Sequence, residues 1–297
     1  MFTSIASRDR YGFPFETGIC SVCGNVQQSK YYDTETLVDF YTNYYRDIYG
    51  SMSGHELFVH QFNRGKAVYE FVEEHCGDVK RVLEVGAGAG GIIKRFQDKG
   101  HQVVGVDYDQ RYEEYAATKG VKVLDGGLDA LEGESDKYDL VIVCHVLEHI
   151  VDPADFLSQL KMRLSPGGMI FIEVPVIDDL LEGAYRGEFT RYLQNAHVVH
   201  YTNASLRKLL EVQSLQVLKV GSHGRVLVAD AGDSSRNESA FSSLRAAQNS
   251  LLEKVLDQER NLVSHPSLRN AVYSIYDSVN QFPVIKKVFN AIRESRH

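Results

Sequence analysis

The stretch Val82-Leu-Glu84-Val-Gly86-Ala-Gly88-Ala-Gly90-Gly91 decides how the rest of this 297-residue chain is read. A short apolar run ends abruptly in glycines, the pattern of a strand that turns straight into a helix. Glycine at such a turn lets the backbone pass close to a ligand, and the helix that follows offers unpaired N–H groups at its start. Gly86, Gly88 and Gly91 satisfy the spacing G-x-G-x-x-G, and Asp107 lies 21 residues after Gly86, where an acid that holds a ribose belongs. The motif alone leaves two readings open, a nucleoside-containing cofactor or a plain glycine turn.

Working outward, short β-branched runs alternate with helical stretches, the pattern of a parallel sheet covered by helices. Strands are expected at Val82–Val85, Gln102–Asp107, Val121–Asp125, Tyr138–His145 and Gly168–Pro175, and helices at Gly91–Lys99, Tyr112–Lys119 and Pro153–Leu164. The last of these helices stops at Ser165-Pro-Gly-Gly168. A helix over Asn203–Val212, capped by Thr202 or Asn203, precedes the runs Leu215–Val220 and Arg225–Ala229, which Gly221–Gly224 joins as a hairpin. The expected fold is α/β: a doubly wound, mostly parallel sheet of seven strands with one antiparallel member, Rossmann-like. Flanking it are an N-terminal lid segment (1–80) and a helical C-terminal extension (233–297), leaving 81–232 as the core domain. No internal repeat of fixed period is visible.

Composition narrows the class. Lys and Arg number 32 against 40 Asp and Glu, a net charge of −8 that argues against wholesale binding of a polyanion such as a nucleic acid. No run reaches the length of apolar sequence needed to span a bilayer, and the first residues lack the apolar core of a signal peptide, so a cytoplasmic protein without an integral membrane segment is expected. Cys20, Cys23, Cys76 and Cys144 are too few and too unevenly spaced for a disulfide framework.

Beyond the glycine turn, Val103-Val-Gly-Val-Asp107, Tyr138-Asp-Leu-Val-Ile-Val-Cys-His-Val-Leu-Glu-His-Ile-Val-Asp-Pro153 and Gly167-Gly-Met-Ile-Phe-Ile-Glu-Val-Pro175 follow in order. With Glu84 two residues before the first glycine, these four motifs resemble the class I S-adenosylmethionine-dependent methyltransferases. The resemblance implies that the glycine loop holds the methionine part of the cofactor, that the acid ending strand two binds the ribose and that the loop after strand three lines the adenine. The cofactor-binding residues it implies are Glu84, Gly86, Gly88, Gly90, Asp107, Tyr108, Gly127, Leu128 and His145. A dehydrogenase using the same loop with NAD is the rival from another class, and the antiparallel last strand suits the methyltransferases better.

Methyl transfer from a sulfonium is an in-line displacement, so the protein's task is to align the acceptor and take a proton from it. Candidate catalytic residues are His197, His149 and Glu148. Leu147-Glu148-His149 is a family fingerprint, although a glutamate and histidine at a helix start also cap or pack. Ala196-His197-Val-Val-His200-Tyr201 resembles the region before the penultimate helix of sugar methyltransferases, where a histidine is the base in some members. The C-methylating members read Glu-His there, whereas this chain has Ala196. Cys20-Ser-Val-Cys23 resembles one knuckle of the N-terminal zinc ribbon of that family, the second by its lead-in Tyr11-Gly-Phe-Pro-Phe, but the first pair is absent, and zinc usually wants four protein ligands. Tyr45, Tyr49 and Tyr192 are candidate substrate contacts; helical spacing of Tyr41, Tyr44, Tyr45 and Tyr49 equally suits a packing face.

These resemblances lead to an expected methyltransferase acting on a saccharide or nucleotide sugar, with O-methylation in surface-polysaccharide or nucleotide-sugar biosynthesis ahead of sugar C-methylation or a quinone-like acceptor. A non-catalytic scaffold is the third class of reading. Residues 234–297 hold nine Lys and Arg against six Asp and Glu, and their apolar stripes suit self-association into a homo-oligomer or docking of a partner.

Overall fold

A computed structural model describes residues 2–12, 14–20, 25–50, 52–131, 137–232, 250 and 253–254. Apart from residues 250, 253 and 254, the expected C-terminal extension lies outside the described residues. The elements run β1 (Phe2–Arg8), β2 (Pro14–Cys20), β3 (Val26–Gln28), α1 (Thr34–Asn43), α2 (Tyr45–Tyr49), α3 (Gly54–Val72), β4 (Arg81–Val85), α4 (Gly91–Gln97), β5 (Gln102–Asp107), α5 (Glu113–Thr118) and β6 (Val123–Asp125). Then come β7 (Tyr138–Cys144), α6 (Pro153–Met162), β8 (Leu164–Glu173), α7 (Phe189–Tyr192), β9 (Val199–His200), α8 (Asn203–Val212), β10 (Leu215–Val220) and β11 (Arg225–Asp230).

The main sheet has seven strands in the order β10-β11-β8-β7-β4-β5-β6. All neighbours from β8 to β6 are parallel, and β11 runs antiparallel to both β8 and β10. This is the doubly wound fold expected from the motifs. Val82, Leu83, Leu140, Val141, Ile142, Val143, Ile170, Phe171 and Ile172 are fully buried because helices cover both faces, which is why these strands read as unbroken apolar runs. The strand order reverses beside β4, so a crevice opens at the C-terminal ends of β4 and β7, the place where open α/β sheets bind ligands.

Helix boundaries follow local chemistry. Thr202 caps α8 in a reciprocal box with Ser205, Ser53 does the same for α3 with Glu56, and Asp152 accepts from Ala154 and Asp155 ahead of Pro153 in α6. The Ser165-Pro-Gly-Gly segment is not a separate turn between helix and strand. Leu164 already pairs with Tyr138, and the ladder shifts register before Leu140 pairs with Met169, so the segment forms a bulge inside β8 with Gly167 at φ 77°.

The N-terminal segment holds a second, four-stranded sheet, β1-β2-β3-β9. Its last strand belongs to the core chain: Val26 pairs with His200 and Gln27 with Val199. Further bonds fix the approach to that strand. Gln28 donates from Nε2 to the carbonyls of Asn195 and His197 at 2.6 and 2.9 Å, and Asn195 N donates to Asp9. The small sheet therefore positions residues 194–200 over the crevice. Among the described residues no helix is long and apolar enough to cross a membrane.

Candidate functional site

At the end of β4 the chain makes three left-handed turns at glycine, Gly86 (φ 75°), Gly88 (φ 51°) and Gly90 (φ 74°). A Cβ on Gly86 would stand 2.4 Å from Val146 Cγ2, and one on Gly91 would stand 2.4 Å from the Phe58 carbonyl oxygen, so side chains are excluded by space at both positions and by φ as well at Gly86. Two groups outside the loop hold it. Asp107 Oδ2, at the tip of β5, accepts from Gly88 N at 2.7 Å. Gln61 of α3 reaches in with both ends of its amide, donating to the Ala87 carbonyl at 2.9 Å and accepting from Ala89 N at 3.1 Å and Gly91 N at 3.4 Å.

A cavity of about 730 Å³ opens beside this loop. Glu84, Gly86, Asp107, Tyr108, Gly127, Leu128 and His145 line it, as do Tyr45, Glu148, His149 and His197. Gly88 and Gly90 stand behind that wall: Gly88 is bonded to Asp107, and Gly90 caps α4 against Val121. Tyr108 lies over Gly127, where a Cβ would come within 2.4 Å of its hydroxyl. Tyr49 packs against Tyr11, Phe40 and Tyr45 rather than facing the cavity. Tyr192 is buried against Phe189, and its hydroxyl donates to the Pro175 carbonyl. Cys20 ends β2, and Cys23 lies outside the described residues.

Glu84 is 1% exposed; its Oε2 accepts from Ile93 N at 3.3 Å, and its Oε1 has no hydrogen-bond partner. Burial pushes its carboxyl well above the usual range. A buried carboxyl beside a cavity, with one oxygen that has no hydrogen-bond partner among the described residues, suits a ligand carrying a cationic or N–H donor group there, which would favour its ionised form. Asp107 presents a second carboxyl at the neighbouring strand tip, raised by burial against its bonds from Asp109 N and Gly88 N.

The opposite wall holds a second constellation. His145 sits at φ 56°, with Nδ1 3.4 Å from Glu148 Oε1 and Nε2 3.3 Å from Glu173 Oε1. Burial alone would lower this histidine, but the two carboxylates outweigh it and push its pKa up to about 9. Glu173 is held from the other side by Arg64 at 3.2 Å and Arg225 at 2.6 Å. Burial opposes its ionisation, yet His145, Arg64 and Arg225 bring it down to about 2.

Deeper in, His149 Nδ1 lies 2.9 Å from the Ala196 carbonyl and 2.8 Å from the Tyr41 hydroxyl. The His149 and His197 rings meet edge to face with centroids 4.9 Å apart. Burial lowers the pKa of both, that of His197 far below the ordinary histidine value. Sequence reasoning passed over Gln61, Glu173 and Arg46, and took Tyr41 only as part of a helical face. Arg46 stacks near Tyr45 and Tyr112 and lies 3.8 Å from Asp109, while Arg111 bonds both Asp109 and Asp47, so α2 is tied across the cavity mouth to the end of β5.

A doubly wound sheet with a terminal antiparallel strand, a triple-glycine turn after its first core strand and an acid at the tip of the next is a Rossmann-like methyltransferase fold. Comparison with known proteins agrees: a methyltransferase-domain family matches residues 58–220, more than half of the chain, and the chain belongs to it. That membership sets aside the dehydrogenase reading of the glycine motif. Among curated relatives, a probable S-adenosylmethionine-dependent methyltransferase of Mycolicibacterium smegmatis is 30% identical over 38% of this chain and 45% of its own length. The C-methyltransferase NovU of Streptomyces niveus is 25% identical over 74% of this chain and 51% of its own. A ubiquinone biosynthesis O-methyltransferase of Aeromonas salmonicida is 29% identical over 41% of this chain and 54% of its own. The chain spans about half the length of the curated relatives it matches.

Proposed function

We propose that the chain is an S-adenosylmethionine-dependent methyltransferase whose acceptor is a saccharide hydroxyl. The observation that carries the donor half is the idle Glu84 Oε1 in the same cavity as the Asp107 carboxyl, on adjacent strand tips either side of the glycine turn. In this reading Glu84 meets the ammonium of the methionine part and Asp107 the ribose hydroxyls, and the Tyr108–Gly127–Leu128 wall takes the adenine. The bound donor supplies an electrophilic methyl on sulfur; the chain's residues hold the acceptor in line with it and remove the acceptor's proton.

The acceptor half rests on the wall that faces the turn. Tyr41, Tyr45 and Tyr185 offer ring faces and hydroxyls beside Arg10, Gln194, His149 and His197, a mixture that suits a polyhydroxylated ligand. His197, neutral because burial disfavours its charged form, is in the right state to accept a proton. C-methylation is the second reading, favoured by the relative that covers 74% of this chain, a C-methyltransferase, and opposed by Ala196 where Glu is the pattern.

Titration calorimetry with S-adenosylmethionine and with NAD tests the donor; heat with the first alone is expected, and heat with NAD alone overturns the reading. S-adenosylhomocysteine release with nucleotide sugars against quinol acceptors tests the acceptor. His197→Ala is expected to lower turnover by about 100-fold with donor affinity nearly intact.

A further inference from the structure

Glu148 poses a problem that the methyl-transfer reading leaves unsolved. It is 1% exposed, lines the cavity, and among the described residues neither carboxylate oxygen has a hydrogen-bond partner. Buried carboxylates are ordinarily bonded, paired or metal-bound, because stripping their water costs several kcal/mol. The His145 ring stands at ion-pair distance, 3.4 Å from Oε1, and divides its charge between Glu148 and Glu173.

The remaining neighbours are two imidazoles. His149 Nδ1 lies within hydrogen-bond distance of the Ala196 carbonyl, which only accepts, and of the Tyr41 hydroxyl; with its proton on Nδ1 the ring offers the lone pair of Nε2 to a ligand. That nitrogen lies 3.9 Å from Glu148 Oε1. A lone pair facing a carboxylate oxygen at this separation is repulsive unless a positive centre lies between them, and the gap is too wide for one hydrogen bond. His197 completes the group: ligand atoms of Glu148, His149 and His197 all lie within 4.8 Å of one another.

We propose that Glu148, His149 and His197 bind one divalent transition-metal ion and leave it open toward the cavity for a hydroxyl of the acceptor. Two nitrogens and one carboxylate oxygen with a vacant position are the donor set of catalytic zinc and of related first-row ions. Tetrahedral ligands at about 2.1 Å from an ion stand roughly 3.4 Å apart, so the Glu148–His149 pair needs to close by about half an ångström. The carbonyl of Ala196 already plays the outer partner that fixes a ligating histidine's tautomer. Cys144, His145 and Glu173 are also clustered, but there Arg64 and Arg225 occupy both oxygens of Glu173.

The role of the ion, though not its binding, rests on the methyl-transfer reading. A hydroxyl on the ion ionises closer to neutral pH. Its oxygen then forms the new bond to the methyl carbon as the carbon–sulfur bond breaks, the proton having gone to water. In this arrangement the ion takes over from His197 the part of drawing off the acceptor's proton, and His197→Ala lowers turnover through the lost ligand rather than a lost base.

The test uses the tag-free chain, stripped by chelation, dialysed and titrated with Co2+. Expected are one ion per chain and the visible bands of nitrogen–oxygen cobalt, without the charge-transfer band of a thiolate on Cys20 or Cys23. Glu148→Gln and His197→Gln should each weaken binding by about 100-fold or more, with near-ultraviolet circular dichroism checking their fold. X-ray absorption on the wild-type cobalt protein, which needs no variant, should count two imidazoles. Absence of saturable binding overturns the proposal, and so does thiolate charge transfer that persists in Glu148→Gln. Calorimetry with S-adenosylmethionine on the same sample separates the two claims: donor binding without cobalt removes only the ion site, and cobalt binding without donor removes only the methyl-transfer role.

Discussion

Replacing Gln61 by Met tests whether the glycine turn is held by that one amide. Met keeps nearly the same length and volume, so packing against Leu57 and the loop changes little, whereas every polar contact is lost. The wild-type amide, 9% exposed, supplies the Ala87 carbonyl at 2.9 Å and Ala89 N at 3.1 Å, with a longer bond to Gly91 N at 3.4 Å. Leaving a buried backbone group without a partner costs about 1–3 kcal/mol. Two well-formed bonds, each taken in the lower half of that range, put the loss at roughly 2–4 kcal/mol, a large share of the ~5–15 kcal/mol that holds an ordinary domain together. Urea unfolding should show a lower midpoint with an unchanged slope, and the melting temperature should fall by roughly 5–15 °C. Donor affinity should weaken in parallel, because the N–H groups of the turn lose their fixed directions. A Gln61→Met protein within about 0.5 kcal/mol of wild type would show that the amide only fills space.

Three further outcomes follow from the same contacts. Asp107→Ala should weaken S-adenosylmethionine binding by about 1.5–3 kcal/mol in calorimetry, since it removes both the proposed ribose acceptor and the bond from Gly88 N; unchanged affinity removes Asp107 from the donor site. Glu173, held at about 2 in the folded chain against its ordinary 4.5, stabilises the fold fully above about pH 4.5 and progressively less as pH falls toward 2. Denaturation of Glu173→Gln should thus show a deficit of about 3 kcal/mol at pH 7 that closes in that acid window, and a deficit independent of pH contradicts the ion-pair account. Gly91→Ala should destabilise by at least about 2 kcal/mol, because its Cβ would stand 2.4 Å from the Phe58 carbonyl and 2.6 Å from Phe62 N, backbone atoms that cannot swing away; a melt equal to wild type refutes that packing.

The two halves of the cavity differed sharply in how far they could be read in advance, and the difference is physical. Glu84, Asp107 and the glycines belong to long strands and tight turns, where burial on both faces and positive φ leave a mark in the residues themselves. The second sheet leaves no such mark: β3 has three residues and β9 two, and β1 shifts register twice against β2, so no alternation survives to be recognised. Yet that sheet is what brings Ala196 and His197 over the crevice, through Val26 and Gln28. Gln61 was illegible for a related reason. A glutamine in a helix reads as solvated, and its partners, Ala87 and Ala89, lie 26 and 28 residues downstream in backbone atoms that no side-chain pattern encodes. Tyr41 and Tyr45 showed a helical face, but the ring they flank, His149, is more than a hundred residues away. Glu148 carries the point furthest. As part of Leu147-Glu-His149 it was visible as a functional candidate, whereas what distinguishes it, two buried oxygens that have no hydrogen-bond partner among the described residues and share only the His145 charge beside two further imidazoles, is a property of assembly. Residue type states what a group can do; only its unmet bonding, which the fold alone creates, states what it is waiting to bind.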